Sequence, residues 1–385
     1  MRKLSLILVA AVLGTASIVS ATSSIPYSVE EFLNRGTRFG VGYLQKDGKN
    51  FYKAALSNDF KAAGFTVGMD ANLYLPSDSN NGSAESTFTV RKLGYEYKDV
   101  FGAEWGRLTH LTLGQGLLVN DYDSGSGGNS YELTPQRAGL KGFVNVSNFK
   151  LEGFTTARSL FGGRASYRLD KAAIGLPLEV GGTYAKDPNG GFQNAGQAGY
   201  AFDLSSPIGS DFFVPYVEYA KLEKHGQGFG TGVRGGFLSF FNYRVEYRSL
   251  SSRFAPGYFN STYENAPISI ETSPSKTGFL GMIGSSWFDN YVQTEVQVES
   301  YSNSESLITG GLGFKPLFGM AAVAHYTQPI QGNTAPMLTA EALLFSVGPM
   351  ETLVGLRQVY RDSGTETSYT FGATVSLTKM MGLPF

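Results

Sequence analysis

The sequence predicts an all-β fold, a transmembrane antiparallel up-and-down β-barrel of about 20 strands. Turn-rich breaks divide the chain after Thr37 into segments of about 9–11 residues, the length of a tilted spanning strand. Several segments alternate apolar and polar residues, which places the two kinds on opposite faces of a sheet. Glycine (49 of 385 residues), phenylalanine (28) and tyrosine (22) are abundant, which is typical of a turn-rich chain with aromatic belts.

The first residues predict export. A short basic head, Met1–Lys3, precedes the apolar run Leu4–Val12, and Val19-Ser20-Ala21 offers small residues for a cleavage site. This pattern is typical of a signal peptide, and the apolar run is too short for a spanning helix. We therefore predict a signal peptide over 1–21. Residues 22–36 form a short periplasmic segment, in which a capping box predicts a helix over Val29–Arg35 that stops at Gly36.

The last strand is the most informative segment. From Tyr369 onward the odd positions are nearly all apolar and the even ones polar or small, and the chain ends at Phe385. A final amphipathic strand that closes on an aromatic residue resembles the C-terminal strand of bacterial outer-membrane β-barrels. That resemblance is to the porin-like superfamily as a whole and not to a specific member. It implies an outer-membrane location, contact with outer-membrane lipid, and reading of Phe385 by the barrel-assembly machinery.

Breaks of two kinds alternate along the predicted barrel domain, 37–385. One kind is polar and often long, as at Asn120–Glu132 and Ser251–Ser275, and the other is short, as at Ala62–Gly64 and Ser147-Asn148. Long extracellular loops and short periplasmic turns are what an outer-membrane barrel shows. Sixteen or eighteen strands remain alternatives if the weaker pieces around 51–60 or 159–170 do not span.

Charged side chains segregate to one face of four predicted strands, for example Arg244, Glu246 and Arg248 against Tyr243, Val245 and Tyr247. A basic side chain facing lipid costs about 2–4 kcal/mol near the bilayer midplane, so the charged face should point to water. The predicted pore-lining residues are Lys92, Glu96, Lys98, Arg164, Arg168, Arg244, Glu246, Arg248, Glu295 and Glu299.

Side chains fill the interior only of barrels with about eight strands, so the larger lumen predicted here must be occupied by something other than wall side chains. The sequence favours water there, since the segment before the first strand is too short for a large plug domain. In general porins an acidic third loop folds inward against a basic wall. The third long loop, with Asp121, Asp123 and Glu132, resembles that constriction in order and charge, and a conventional surface loop is the alternative.

The other motifs in the sequence do not predict a catalytic or metal-binding site. Asp121–Glu132 is a near miss to a calcium loop, because Gly125 and Ser126 replace a ligand and the required glycine. The three histidines, His110, His225 and His325, show no local signature of a serine hydrolase or a metal site. In Trp105–Gly116, Gly114 and Gly116 indicate a bulge or a close backbone approach within a strand. We therefore predict no enzyme activity, no metal and no cofactor.

The composition limits the partners. The formal net charge is −1 and there is no cysteine, which argues against nucleic-acid binding and leaves no disulfide framework. The sequence thus predicts a porin-like channel for passive diffusion of small polar solutes or ions, with a homo-oligomer left open. A structural or adhesive barrel acting through its extracellular loops is one alternative. The other is a hydrophobic-substrate transporter with an N-terminal hatch.

Overall fold

The computed structural model describes most of the chain between Gly36 and Ser376. The predicted signal peptide, the predicted helix Val29–Arg35, Glu132 and Phe385 lie outside the described residues. The first strand begins at Gly36. None of the described residues forms a helix long and apolar enough to cross a membrane. The described ranges are 36–46, 49–77, 84–124, 138–170, 175–189, 197–209, 211–238, 240–261, 263–264, 274–288, 291–303, 306–317, 320–329, 337–347, 350–361 and 364–376.

The described secondary structure consists of β-strands. In chain order they are β1 Gly36–Lys46, β2 Lys49–Ala62, β3 Phe65–Pro76, β4 Glu85–Tyr97, β5 Phe101–Gly106, β6 Leu111–Leu113, β7 Val119–Tyr122, β8 Gly139–Val146, β9 Phe149–Thr156, β10 Phe161–Leu169, β11 Leu178–Asp187, β12 Gln197–Ser205, β13 Val214–Leu222, β14 Gln227–Phe237, β15 Phe241–Leu250, β16 Phe259–Asn260, β17 Lys276–Trp287, β18 Val292–Tyr301, β19 Leu307–Leu317, β20 Met320–Pro329, β21 Met337–Val347, β22 Met350–Arg361 and β23 Gly364–Ser376.

Twenty of these strands belong to one antiparallel sheet, and β6, β7 and β16 form a separate one. Within the large sheet each strand pairs with the strand before it and the strand after it. The first strand also pairs with the last, so that Gly42 lies opposite Lys53 of β2 and opposite Gly372 of β23. The predicted all-β antiparallel architecture is confirmed. The two weaker pieces of the sequence are the strands β2 and β10.

The two faces of the large sheet differ in polarity as the alternation predicts. On β15, Arg244, Glu246 and Arg248 are buried, whereas Val245 and Tyr247 are exposed. Large apolar side chains are exposed on many strands of the sheet, and Phe279 reaches 60% exposure. In a water-soluble protein most charged residues are exposed and most large hydrophobic residues are buried. This sheet has the opposite, inverted distribution. We call the face with buried charges the inner wall.

The space beside the inner wall is partly filled by two connections that leave the same end of the sheet. Residues 107–124, here called the inner hairpin, contain β6 and β7, which pair antiparallel. Residues 251–264, the second inner segment, contain β16, which pairs in parallel with β7. This corrects two predictions: Trp105–Gly116 is not one strand, since β5 ends at Gly106, and the inward fold begins well before Asn120.

An apolar core joins these two segments to the inner wall. The inner hairpin and the second inner segment contribute mainly leucines, tyrosines and phenylalanines. The wall contributes alanines of β11, β12 and β13 together with larger residues of β9, β13 and β15. Its principal members are Leu108, Leu113, Leu117, Leu118, Val119, Tyr122, Phe154, Leu160, Ala185, Ala201, Ala220, Leu222, Leu250, Phe254, Tyr258, Phe259 and Tyr263.

Candidate functional site

The tip of the inner hairpin is a turn built on two glycines. Gly114 and Gly116 have φ angles of +69° and +89°, a left-handed conformation that glycine adopts at little cost. A Cβ atom on Gly114 would lie 2.7 Å from a carboxylate oxygen of Glu218, and one on Gly116 would lie 2.7 Å from Asn120. The close backbone approach predicted from these glycines is present, at a hairpin tip and not at a bulge in a strand.

The tip rests on charged groups of the inner wall. The Glu218 carboxylate accepts hydrogen bonds from the backbone N–H of Gln115 at 3.2 Å and of Leu117 at 2.8 Å. Arg244 donates from Nη2 to the backbone carbonyl of Gln115. The Gln115 side chain accepts from Arg234 Nε at 3.0 Å and donates to Asp203 at 3.5 Å. The wall thus satisfies backbone groups that a buried turn would otherwise leave unpaired.

A buried ionic network continues along the wall from the tip. Glu246 lies between Arg244 and Arg248, with Nε atoms at 2.9 Å and 2.6 Å from its carboxylate oxygens. Tyr216 donates its hydroxyl to Glu246 at 2.7 Å, and Arg248 also reaches Glu299 at 3.3 Å. Because Arg244, Glu246 and Arg248 are each at most 5% exposed, their charges are stabilised by one another and not by water.

The same type of pairing connects β10 to β12. Arg164 Nη2 lies 2.6 Å from Asp203, and its Nη1 lies 3.2 Å from Glu179. Asp203 therefore contacts both this arginine and the tip residue Gln115. Charged wall residues from β10 to β15 converge on one region around the tip.

Polar contacts also tie the two inner segments together. Tyr122 of the inner hairpin donates its hydroxyl to Glu264 of the second inner segment. Arg158 donates to the same carboxylate at 3.2 Å, and Tyr263 donates to Asp187 at 2.8 Å. Burial raises the pKa of Glu264 above its ordinary value, although the hydrogen bonds from Tyr122 and Arg158 oppose that shift.

A charged cavity of about 540 Å³ lies on the other side of the inner hairpin. Leu111 and Leu113 line it from the hairpin, and Glu104 and Lys141 line it from β5 and β8. Glu104 bonds to Lys92 at 2.6 Å and to Lys141 at 3.2 Å. These three side chains are between 24% and 39% exposed, so the pairs remain in contact with solvent.

The predicted pore-lining residues fall into three groups. The first group was expected to face water but is buried in the structure. It consists of Arg164, Arg244, Glu246 and Arg248. These four side chains pair with other polar groups and are shielded from water in this structure, and Arg244 also bonds the tip of the hairpin. Glu96 and Lys98 line the charged cavity, with Lys92 bonded at its edge. Arg168 is exposed and pairs with Asp170, and Glu295 and Glu299 are half-buried on β18.

Two residues of the predicted constriction loop, Asp121 and Asp123, lie in the inner hairpin. Asp121 contacts His110 Nδ1 at 2.9 Å, and Asp123 accepts from Arg107 Nε at 2.9 Å. Both carboxylates therefore bond within the hairpin and stabilise its base. At the hairpin tip, Arg244 of the wall bonds the backbone carbonyl of Gln115.

Sequence reasoning missed Gln115, Asp203, Glu218, Arg234 and Glu104. None of them belongs to a run of charged residues at alternating positions, so no charged stripe marked it. The sequence feature that pointed to this region was the Gly114-Gln115-Gly116 turn. Among the described residues, no group of three histidine, cysteine, aspartate or glutamate residues has the arrangement of a metal site.

No protein-family model and no curated protein matches the chain. Solved structures with a similar fold include Wzi of Escherichia coli, described as a carbohydrate-binding β-barrel involved in group 1 capsule assembly. Its TM-score is 0.40 at 9% identity, over 92% of this chain and 90% of that chain. OpdQ of Pseudomonas aeruginosa has a TM-score of 0.37 at 11% identity, over 88% of this chain and 94% of that chain.

A triple mutant of the Rhodopseudomonas blastica porin has a TM-score of 0.32 at 10% identity, over 88% of this chain and 97% of that chain. The P pilus usher PapC has a TM-score of 0.31 at 9% identity, over 88% of this chain and 98% of that chain. These four solved structures are outer-membrane β-barrel proteins, and at 9–11% identity none of them indicates a particular relative of this chain.

Proposed function

We propose that the chain is an outer-membrane β-barrel that lets small polar solutes or ions diffuse passively through a restricted lumen. The pairing of β1 with β23 supports a closed barrel of twenty spanning strands, since closure leaves no unpaired edge in lipid. The exposed apolar face supports contact of the outside with outer-membrane lipid. The proposed organisation is a signal peptide over 1–21, a periplasmic segment over 22–36 and the barrel over 37–385, whose end at Phe385 the assembly machinery reads.

The observation that carries the proposed function is the charged cavity beside the inner hairpin. Glu104 stands there between Lys92 and Lys141, on strands whose opposite face is apolar and exposed. Half-exposed charges of both signs stabilise water and small ions of either sign. A wall that mixes lysines with carboxylates in nearly equal number admits polar solutes without strong selection between anions and cations.

The inner hairpin sets the size of the proposed route. A barrel of 16–18 strands already encloses an aqueous channel, and here an apolar core fills the part of the lumen beside β9 to β15. We place the route along β4, β5 and β8, on the far side of Leu111 and Leu113, where the charged cavity lies. We therefore expect passage of small solutes and exclusion of larger ones.

Planar-bilayer recording of the purified protein tests this function. We expect small ohmic steps, and Glu104→Gln should shift the reversal potential in a salt gradient toward anions, because Lys92 and Lys141 then remain unbalanced. Lys141→Gln should shift it toward cations. Lys224→Gln is the matched control, since Lys224 lies exposed between β13 and β14.

A bilayer that stays silent would contradict the channel and favour a structural or adhesive barrel. If conductance appears but neither Glu104→Gln nor Lys141→Gln moves the reversal potential, the route does not follow the charged cavity. An equal shift with Lys224→Gln would show only a general effect of surface charge.

A further inference from the structure

We propose that the charged cavity is a binding site for zwitterionic solutes that carry an apolar group, a class that the apolar α-amino acids represent. The inference rests on the proposed channel function and names the solutes that the channel takes. The cavity measures about 540 Å³ and is lined by the inner hairpin and by strands that include β4, β5, β8 and β9. Its volume lies within the range of about 300–1,000 Å³ that is usual for small-molecule sites.

The first argument is an apolar surface inside the cavity. Leu111 lines it from the inner hairpin and Phe143 lines it from β8, and both side chains are half-buried. Gly102 of β5 pairs with Phe143, and a Cβ atom there would lie 2.6 Å from the ring atom Cε1. The ring therefore packs where glycine leaves room for it, and an apolar group of a ligand can pack on the ring in turn.

The second argument is that charges of both signs adjoin Phe143. Lys141, two residues earlier on the same face of β8, contacts Glu104 of β5 at 3.2 Å. Glu152 pairs with Phe143 from β9 and contacts Lys150 at 2.9 Å. A ligand that packs on the ring therefore meets carboxylates and ammonium groups together. An α-amino acid carries one charge of each sign on a single carbon and matches both.

The third argument is that these ion pairs are open to a ligand. The side chains of Glu104, Lys141 and Lys150 are 24%, 37% and 47% exposed. Ion pairs in contact with water contribute little to stability, so they can exchange partners without loss of the fold. The pair of Arg244 and Glu246 differs, because both of its side chains are buried.

A solute with only one charge fits this arrangement less well. An ammonium group alone competes with Lys141 for Glu104 and leaves the lysine without its partner. A carboxylate alone competes with Glu104 for Lys141 and leaves the glutamate without its partner. A zwitterion supplies a partner to each side chain, so the exchange leaves no charged group unpaired.

Equilibrium dialysis of the purified protein in detergent micelles with radiolabelled L-phenylalanine tests the site. Three competitors each lack one part of this ligand: 3-phenylpropionate lacks the ammonium group, phenethylamine lacks the carboxylate, and glycine lacks the apolar side chain. We expect each of them to displace the label several-fold less well than unlabelled phenylalanine does.

Variants assign the parts of the ligand to side chains. Glu104→Gln should abolish the preference for phenylalanine over 3-phenylpropionate, and Lys141→Gln should reduce the preference over phenethylamine. Phe143→Ala should weaken phenylalanine binding several-fold, whereas Phe143→Leu should retain most of it because the position stays apolar. Lys224→Gln, on the exposed connection between β13 and β14, is the control and should change none of these ratios.

The absence of saturable phenylalanine binding would overturn the proposal, as would equal displacement by 3-phenylpropionate and phenethylamine. A change of the ratios with Lys224→Gln as large as with Glu104→Gln would also contradict it. Binding in micelles does not require conduction, so a protein that binds phenylalanine and leaves a planar bilayer silent would refute the channel alone. Conductance without phenylalanine binding would refute this inference and leave the channel intact.

Discussion

At the scale of single residues, glycines of the inner wall determine how closely the inner hairpin can approach. Gly199 on β12 faces Leu118, and a Cβ there would lie 2.7 Å from a Leu118 methyl and 2.9 Å from the backbone oxygen of Lys221. One of these neighbours is a flexible side chain, but the other is a strand backbone that cannot move without breaking its pairing.

We therefore expect Gly199→Ala to destabilise the protein by about 1–3 kcal/mol, the usual cost of overpacking. Gly281→Ala is the matched control on β17, because a Cβ at Gly281 meets nothing within 4 Å. Equilibrium unfolding in lipid vesicles measures both. Equal stability of the two variants would show that Leu118 does not pack on Gly199.

Glu246 is the central acidic residue of the buried ionic network. It is 1% exposed and balances both Arg244 and Arg248. Removal of one partner from a buried ion pair typically costs about 3–5 kcal/mol, so Glu246→Gln should lower the free energy of unfolding by an amount in that range.

The control for Glu246→Gln is an exposed pair in the same protein. Arg168 and Asp170 are 3.5 Å apart, with side chains 48% and 68% exposed, and Asp170→Asn should cost no more than about 1 kcal/mol. Denaturant unfolding compares the two variants. A loss with Glu246→Gln as small as with Asp170→Asn would mean that water reaches the network.

At the scale of elements, the inner hairpin and the second inner segment stabilise each other. β16 has only two residues, Phe259 and Asn260, and pairs with β7 through them. Tyr122 and Glu264 join the segments by a hydrogen bond. Neither segment could bury its apolar side chains without the other and the wall.

Replacement of 109–122 by a short glycine-serine linker should therefore raise single-channel conductance several-fold, since the wall strands close by their own backbone pairing. The change should leave the content of β-structure nearly intact in circular dichroism. An unchanged conductance would mean that other residues occupy the lumen and limit the current.

At the scale of the whole molecule, the inverted polarity of the sheet supports the proposed contact of its outer face with lipid. Val245 is 53% exposed in the middle of β15, between the buried charges Arg244 and Glu246. We expect Val245→Arg to lower the free energy of unfolding in vesicles by about 2–4 kcal/mol, as for a basic residue that faces the bilayer midplane.

Val245→Leu keeps the position apolar and should change that free energy little, so it serves as the control. Both are measured by reversible unfolding from phospholipid vesicles. A Val245→Arg variant as stable as Val245→Leu would show that this face of β15 meets water.

Much of the sheet could be predicted because strand faces follow a local rule. Alternation along 243–248 and 292–299 identified the buried polar face, and the spacing of turns located β2 and β10. The packing of the two inner segments against the wall could not be predicted in this way. Leu117, Leu118 and Phe254 read in sequence as ordinary loop or strand residues, because their partners lie on β11 to β15.

The sequence by itself determined the all-β architecture and which face of each strand carries charge, since a period of two is a property of the backbone alone. Only the tertiary structure decided what those charges do. Arg244 and Glu218 lie 26 residues apart in the chain and meet a turn more than 100 residues away. Their role as the seat of that turn depends on sheet register and on the return of the hairpin to the wall, which arise from long-range packing and leave no local pattern.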